Sequence, residues 1–236
     1  MGRIFQTRKA TIFARNDRVS KAFTRIGKEI AIAVRLGGGN PDNNSRLKTA
    51  MQNAKGVSMP KDKVEAAIKR ATSKDEKDLQ EQVYEGYAPN GVALMIECAT
   101  DNPTRTIANL RVIMSKGNGS IGSQGSVAFT FDRKGVFRID KTKCNLDDIE
   151  LDLIDMGAEE IDTDDEDIII YSAFTDFGKM QKGLEEKKIE AKSSELQQIP
   201  NNYKEGLTEE QENAVLQLVA KLEDDDDVQH VFHNLK

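Results

Sequence analysis

Few side chains in this sequence are spaced to do chemistry. The histidines are His230 and His233, three apart near the C-terminus. On a helix that spacing would aim both imidazoles at one metal ion, but in a strand residues three apart point to opposite faces. The surrounding residues, 228–232, read as a strand, so the pair is taken as incidental. Cys98 and Cys144 stand far apart and in neither metal nor redox spacing. Cys98 lies in an apolar run and is expected to be a buried thiol, in a reducing compartment, the cytoplasm. Gly117, Asn118, Gly119, Gly122 and Gly125 form a loop whose backbone N–H groups could approach a phosphate or a peptide. They follow a helix and precede a strand, the reverse of a phosphate-binding loop, and no Gly-Lys-Ser/Thr is present. The acidic runs at 163–167 and 223–227 suit either a cation or, more commonly, a solvated turn. With no nucleophile–base pair and no ligand cluster, the chain reads as a non-enzyme with no metal and no cofactor.

Charge is more informative. The 236 residues carry a net −6, but residues 1–79 hold 18 Lys and Arg against 8 Asp and Glu, and the remainder 16 against 32. A basic head on an acidic body points to a polyanion partner for the head. The alternative is that the head merely solvates itself or docks on the acidic body. The candidate phosphate contacts are Arg8, Lys9, Arg15, Arg18, Lys21, Arg25, Lys28, Arg46, Lys48, Lys55, Lys61, Lys63, Lys69 and Arg70. Contacts of this kind give affinity without sequence choice. Gly117, Asn118, Gly119 and Gly122 are candidates for a loop contact, with Arg105 and Arg111 supplying charge from the preceding helix; a plain connector is the alternative. The acidic remainder is read as a surface for a protein partner or for self-association. No stretch approaches the apolar length of a membrane span, and the N-terminus lacks a signal peptide's apolar segment.

These residues need elements to hold them. Residues 1–14 read as an arm or a first helix. Residues 18–36 read as a helix with Val19, Phe23, Ile26, Ile30 and Ala33 on one face, ended by Gly37-Gly-Gly39. A short helix follows through Lys55, with Leu47, Met51 and Ala54 inward, and a third over 61–72, with Val64, Ile68 and Ala71 inward. Residues 73–82 read as a linker. Residues 92–99 are apolar and flanked by turn residues, hence a buried strand. Asn102 or Asp101 caps a helix opening at Pro103, and residues 127–131 read as the next strand. Residues 136–199 spell βαββαβ, a split-βαβ unit of ferredoxin-like kind. The tail from 201 reads as strand, helix and strand, the half that the unit around 84–131 lacks.

The fold class expected is therefore α+β: an N-terminal three-helix domain followed by two ferredoxin-like α/β domains, the third inserted in the second. The expected domains are 1–79, then 80–135 plus 200–236, with 136–199 inserted.

Several segments together resemble the YebC/PmpR family: Leu36-Gly-Gly-Gly-Asn-Pro-Asp42, Asn53-Ala-Lys55, Met59-Pro-Lys-Asp62, Ala67-Ile-Lys69, Tyr84-Glu-Gly-Tyr87, Asp101-Asn-Pro-Thr-Arg-Thr106 and Gly125-Ser-Val-Ala128. The resemblance runs in order across nearly the whole chain. It implies three domains with a helical N-terminal one, and a role as a probable transcriptional regulator that binds DNA. Other members of the family act on the ribosome, aiding translation of proline-rich stretches, and a mitochondrial relative activates synthesis of cytochrome oxidase. The N-terminus departs from the family's Gly-His-Ser-Lys-Trp, reading Gly2-Arg3-Ile4-Phe5-Gln6, which marks a diverged subgroup without that His and Trp. Three readings stay open: a DNA-binding regulator, a ribosome-associated factor on ribosomal RNA, and a protein-interaction scaffold.

Overall fold

Apolar residues at three- and four-residue spacing through Ile26, Ile30, Ala33 and Val34 give the N-terminal stretch one inward face, and it forms a single helix, α1, Arg3–Gly37. The computed structural model describes residues 3–73 and 78–236, with side chains from residue 19 onward. No break separates an arm or first helix from the helix expected at 18–36; both belong to α1.

Gly38, at φ +83, turns the chain out of α1. A one-turn helix, Pro41–Asn43, leads to α2, Ser45–Gly56. The junction is closed by Asn44, a buried side chain. Its Nδ2 donates to the carbonyls of Ala33 (2.7 Å) and Gly38 (2.8 Å), and its Oδ1 accepts from the Leu47 N–H at 3.0 Å, capping α2. A Cβ on Gly37 would sit 2.8 Å from that side chain, so glycine there makes room for the cap. The third helix, α3, is Lys61–Ala71. Leu47, Ala50 and Ala54 of α2 and Val64, Ala67 and Ala71 of α3 complete a small core with α1. Met51 and Ile68, expected inward, are half-buried at its rim.

Residues 79–236 form the other compact unit, built on two four-stranded antiparallel sheets. In chain order its elements are β1 (Gln80–Tyr87), β2 (Ala93–Thr100), α4 (Pro103–Lys116), β3 (Ser120–Ile121), β4 (Phe131–Asp140), α5 (Leu146–Asp155), β5 (Ala158–Thr163), β6 (Asp167–Ala173), α6 (Phe177–Glu186), β7 (Ser193–Pro200), α7 (Glu209–Glu223) and β8 (Val228–His233). The first sheet runs β3-β1-β2-β8 and the second β5-β6-β4-β7. The second sheet, with α5 and α6, has the split-βαβ connectivity expected of it, packed on Phe137, Ile139, Leu153, Ile168, Ile170 and Met180. The first draws strands from both sides of the second in the chain. Helices α4 and α7 cover one of its faces, meeting Leu94, Ile96 and Cys98 through Leu110, Met114, Leu218 and Leu222.

Three element assignments change. Residues 80–82, read as linker, start β1, whose whole length pairs with β2 from Gln80↔Thr100 to Tyr87↔Ala93. Residues 127–131 are not a strand of the first sheet: Ala128–Thr130 is a helical turn, and Phe131 opens β4, which pairs with β7 from Phe131↔Pro200 to Arg138↔Ser193. Residues 201–205 contribute one bridge, Lys204↔Leu235, rather than a strand. The sheet's remaining edge is β3, two residues of the glycine-rich loop paired with Gly86 and Tyr87.

Candidate nucleic-acid interface

The basic residues of α2 and α3 lie opposite the apolar positions that anchor those helices. Leu47, Ala50 and Ala54 face the core from α2, which leaves Lys48 and Lys55, two turns apart, exposed on one stripe. In α3, Val64, Ala67 and Ala71 are buried, and Lys61, Lys63, Lys69 and Arg70 are exposed. Some already have neighbours. Lys63 Nζ sits 5.0 Å from the Phe23 ring centroid, and Lys61 pairs with Glu65 at 3.5 Å. Lys21, Arg25, Lys28 and Arg46 are half-buried, less open to a partner than the α2 and α3 set. Arg8, Lys9, Arg15 and Arg18 lie on α1 outside the residues whose side chains are described.

The glycine-rich loop is occupied from within. Glu85, a buried residue of β1, aims its carboxylate into the loop. It accepts from the N–H groups of Gly125 (2.7 Å), Val127 (2.7 Å) and Ala128 (3.0 Å). Burial acts to raise its pKa and these three hydrogen bonds act to lower it; the net is a carboxyl held below its ordinary value. Gly122 N–H donates to the Glu85 carbonyl, and Gly117, Asn118 and Gly119 N–H groups go to the last carbonyls of α4. The donors that would greet a phosphate thus have partners inside the chain. The glycines serve close packing instead. A Cβ on Gly86 would lie 2.4 Å from the Ser120 carbonyl, on Gly117 2.6 Å from Leu218, and on Gly119 2.8 Å from the Tyr87 carbonyl.

Arg105 does not reach this loop. It sits in the first turn of α4, at the end away from Gly117. Its guanidinium donates to Asp101 at 2.9 Å and Asp227 at 2.8 Å, and those carboxylates, Asp227 first, raise its pKa. The Asp227 carboxylate also accepts from the buried hydroxyls of Thr106 (2.8 Å) and Thr100 (3.2 Å). The 223–227 run is therefore not simply a solvated turn, since its last residue is the buried hub joining β2, α4 and the start of β8. Among the described residues, no group of three His, Cys, Asp or Glu is placed to hold a metal ion. His230 stacks on Phe232 at 5.7 Å between centroids, and burial lowers the pKa of His233. Cys98 is buried, as expected of it. Among the described residues no helix is long and apolar enough to cross a membrane.

Comparison with known proteins fits this architecture. The family profile described as the TACO1/YebC protein N-terminal domain matches residues 3–74, and that described as the TACO1/YebC second and third domain matches residues 79–235. The chain belongs to the TACO1/YebC family. A relative from Cytophaga hutchinsonii, named a probable transcriptional regulatory protein, is 53% identical across 100% of this chain and 98% of its own. One from Anaeromyxobacter dehalogenans, with the same name, is 52% identical over the full length of both. The crystal structure of a conserved hypothetical protein from Aquifex aeolicus superposes with a TM-score of 0.83 at 33% identity, covering 92% of this chain and 90% of that one.

The segments that carried the TACO1/YebC resemblance hold the fold together. Tyr84-Glu-Gly-Tyr87 and Gly125-Ser-Val-Ala128 are two halves of the Glu85 clamp, and Tyr87 adds a hydrogen bond from its hydroxyl to the Ser126 carbonyl at 2.8 Å. Asp101-Asn-Pro-Thr-Arg-Thr106 caps α4 through Asn102 and binds Asp227. The Leu36 to Asp42 segment is the α1–α2 junction. Glu85 and Asp227 carry the clearest polar networks, and the sequence marked them only as part of a family segment and of an acidic run. The available signal for Glu85 was its place in the Tyr84-Glu-Gly-Tyr87 segment. For Asp227, hidden among other acids, there was none.

Proposed function

We propose that this chain is a transcriptional regulatory protein that binds DNA through its basic N-terminal helices, with α2 and α3 on the phosphates. The observation that carries the reading is the placement of exposed charge. Residues 41–72 contain seven Lys and Arg against three Asp and Glu, and Lys48, Lys55, Lys61, Lys63, Lys69 and Arg70 are all exposed. The names of the bacterial relatives support the regulatory role. Side chains of this kind bind by neutralising phosphates and releasing counterions, so affinity depends on salt more than on sequence.

The test is the salt dependence of binding to duplex DNA. The slope of log K against log salt falls by about 0.9 for each phosphate contact removed. Changing Lys48, Lys69 and Arg70 together to alanine is expected to shallow it by about 2 to 3 units with the fold intact. An unchanged slope would take these helices out of the interface. Crosslinking in cells separates DNA from RNA: recovery of ribosomal RNA fragments in place of promoter DNA would replace this reading with the ribosome-associated one.

A further inference from the structure

We propose that the outer face of α5 is a docking site for a cationic amphipathic helix of another protein. Helix α5 turns Leu153 into the core of the second sheet, with Leu146 and Ile149 packed against it. Its opposite side keeps two large apolar residues in solvent, Leu151 at 79% exposure and Ile154 at 52%. Spaced three apart, they form one strip. Asp147, Asp148, Glu150 and Asp155, all exposed, rim that strip. An exposed apolar strip inside a charged rim is the pattern of an interaction surface rather than of a scattered surface leucine.

The charge decides the partner's sign. From residue 145 to residue 178 the chain has 13 Asp and Glu and no Lys or Arg. Lys187 neutralises Asp152 of α5 at 2.7 Å, and the remaining acids would repel an acidic helix and leave a neutral one unattracted, whereas a lysine- and arginine-rich helix would be steered to them. The two leucine-type side chains demand the rest: apolar residues on one face of the incoming helix, at matching spacing. Helices α2 and α3 of a second copy supply the charge but not the strip. Among the described residues, α2 and α3 expose cations and no large apolar side chain. The apolar contact is small, which places the complex among transient ones.

The probe is a labelled synthetic peptide of about 18 residues, leucines on one helical face and lysines elsewhere, followed by fluorescence anisotropy with the full chain. Its control has the same composition in scrambled order. The ordered peptide is expected to bind about tenfold tighter than the scrambled one. Leu151→Ser with Ile154→Ser should bring the two together with little loss of melting temperature, since Leu151 is mostly exposed and Ile154 half so. Should the double variant unfold, Leu151→Lys alone gives the same readout. Changing Asp147→Asn, Glu150→Gln and Asp155→Asn should shallow the salt dependence for both peptides. Equal affinities for the two peptides, or wild-type binding by the serine variant, would overturn the proposal. So would sedimentation showing a dimer that the serine variant abolishes, because the occupant would then be a second copy.

Discussion

Glu85 is a carboxylate placed where a bound anion would otherwise sit, on three converging backbone N–H groups. Replacing it with Gln keeps the shape but turns an NH2 toward donors on one side. The expected cost is about 1–3 kcal/mol at pH 7, the range for a buried hydrogen-bonding group left without its partner. The sign with pH follows from the lowered pKa. The native-state carboxylate is favoured, so its contribution is complete above the unfolded-state value of about 4.3 and is lost as pH falls through the lower folded value. Denaturant unfolding of the wild type and Glu85→Gln at neutral and acid pH checks this. The gap between them should narrow toward acid, and a gap constant with pH would remove the ionised carboxylate from the account. Asp227 works differently. It gathers Arg105, Thr106 and Thr100, so three segments distant in sequence share one acceptor.

At the scale of elements, the short edge strand β3 exists because glycines let three elements close on one another. Gly119 is a direct test within the loop, since an added Cβ would meet the fixed backbone carbonyl of Tyr87 at 2.8 Å. Gly119→Ala should therefore destabilise by about 1–3 kcal/mol, the usual cost of forcing atoms into a packed site. Gly122→Ala should cost less. Its new methyl meets the Ser126 hydroxyl at 2.5 Å, the end of a side chain that can rotate and that has no hydrogen-bond partner. Thermal unfolding of the two single variants tests the order, and equal losses would count against close packing as the reason for Gly119.

At the scale of the molecule, we propose that the second sheet with its helices is an independent folding unit and that the first is not. Residues 131–200 contain every strand of the second sheet and its own core. The first sheet takes β1, β2 and β3 from before that segment and β8 from after it. Expressed alone, 131–200 should unfold cooperatively. Residues 79–130 should not, because without β8 and α7 the β2 edge is open and Leu94, Ile96 and Leu110 lose their cover. A cooperative transition in the 79–130 fragment would refute this. The charge division belongs to the same scale, with the basic helices in one compact unit and the acidic excess in the other.

What the sequence determined by itself was whatever depends on neighbours along the chain. Helical spacing in Ile26, Ile30 and Ala33, the Asn102–Pro103 start of α4, the apolar run of β2 and the split-βαβ order read at 136–199 are local patterns, and they are in place. So is the basic character of the head, which is a matter of counting. Tertiary structure alone decided the rest. The sequence of β1, QEQVYEGY, is too polar to read as a strand, and it becomes one because β2 pairs with its full length. In sequence the loop glycines could offer backbone N–H groups to a phosphate or serve as a plain connector, and spacing cannot reveal that Glu85, forty residues before Gly125, takes the N–H groups of Gly125, Val127 and Ala128. Asp227 and Arg105 lie 122 positions apart, and only the closing of β8 onto β2 brings their charges to 2.8 Å. Burial and long-range pairing set the meaning of a polar residue, and neither is a property of its neighbours in the chain.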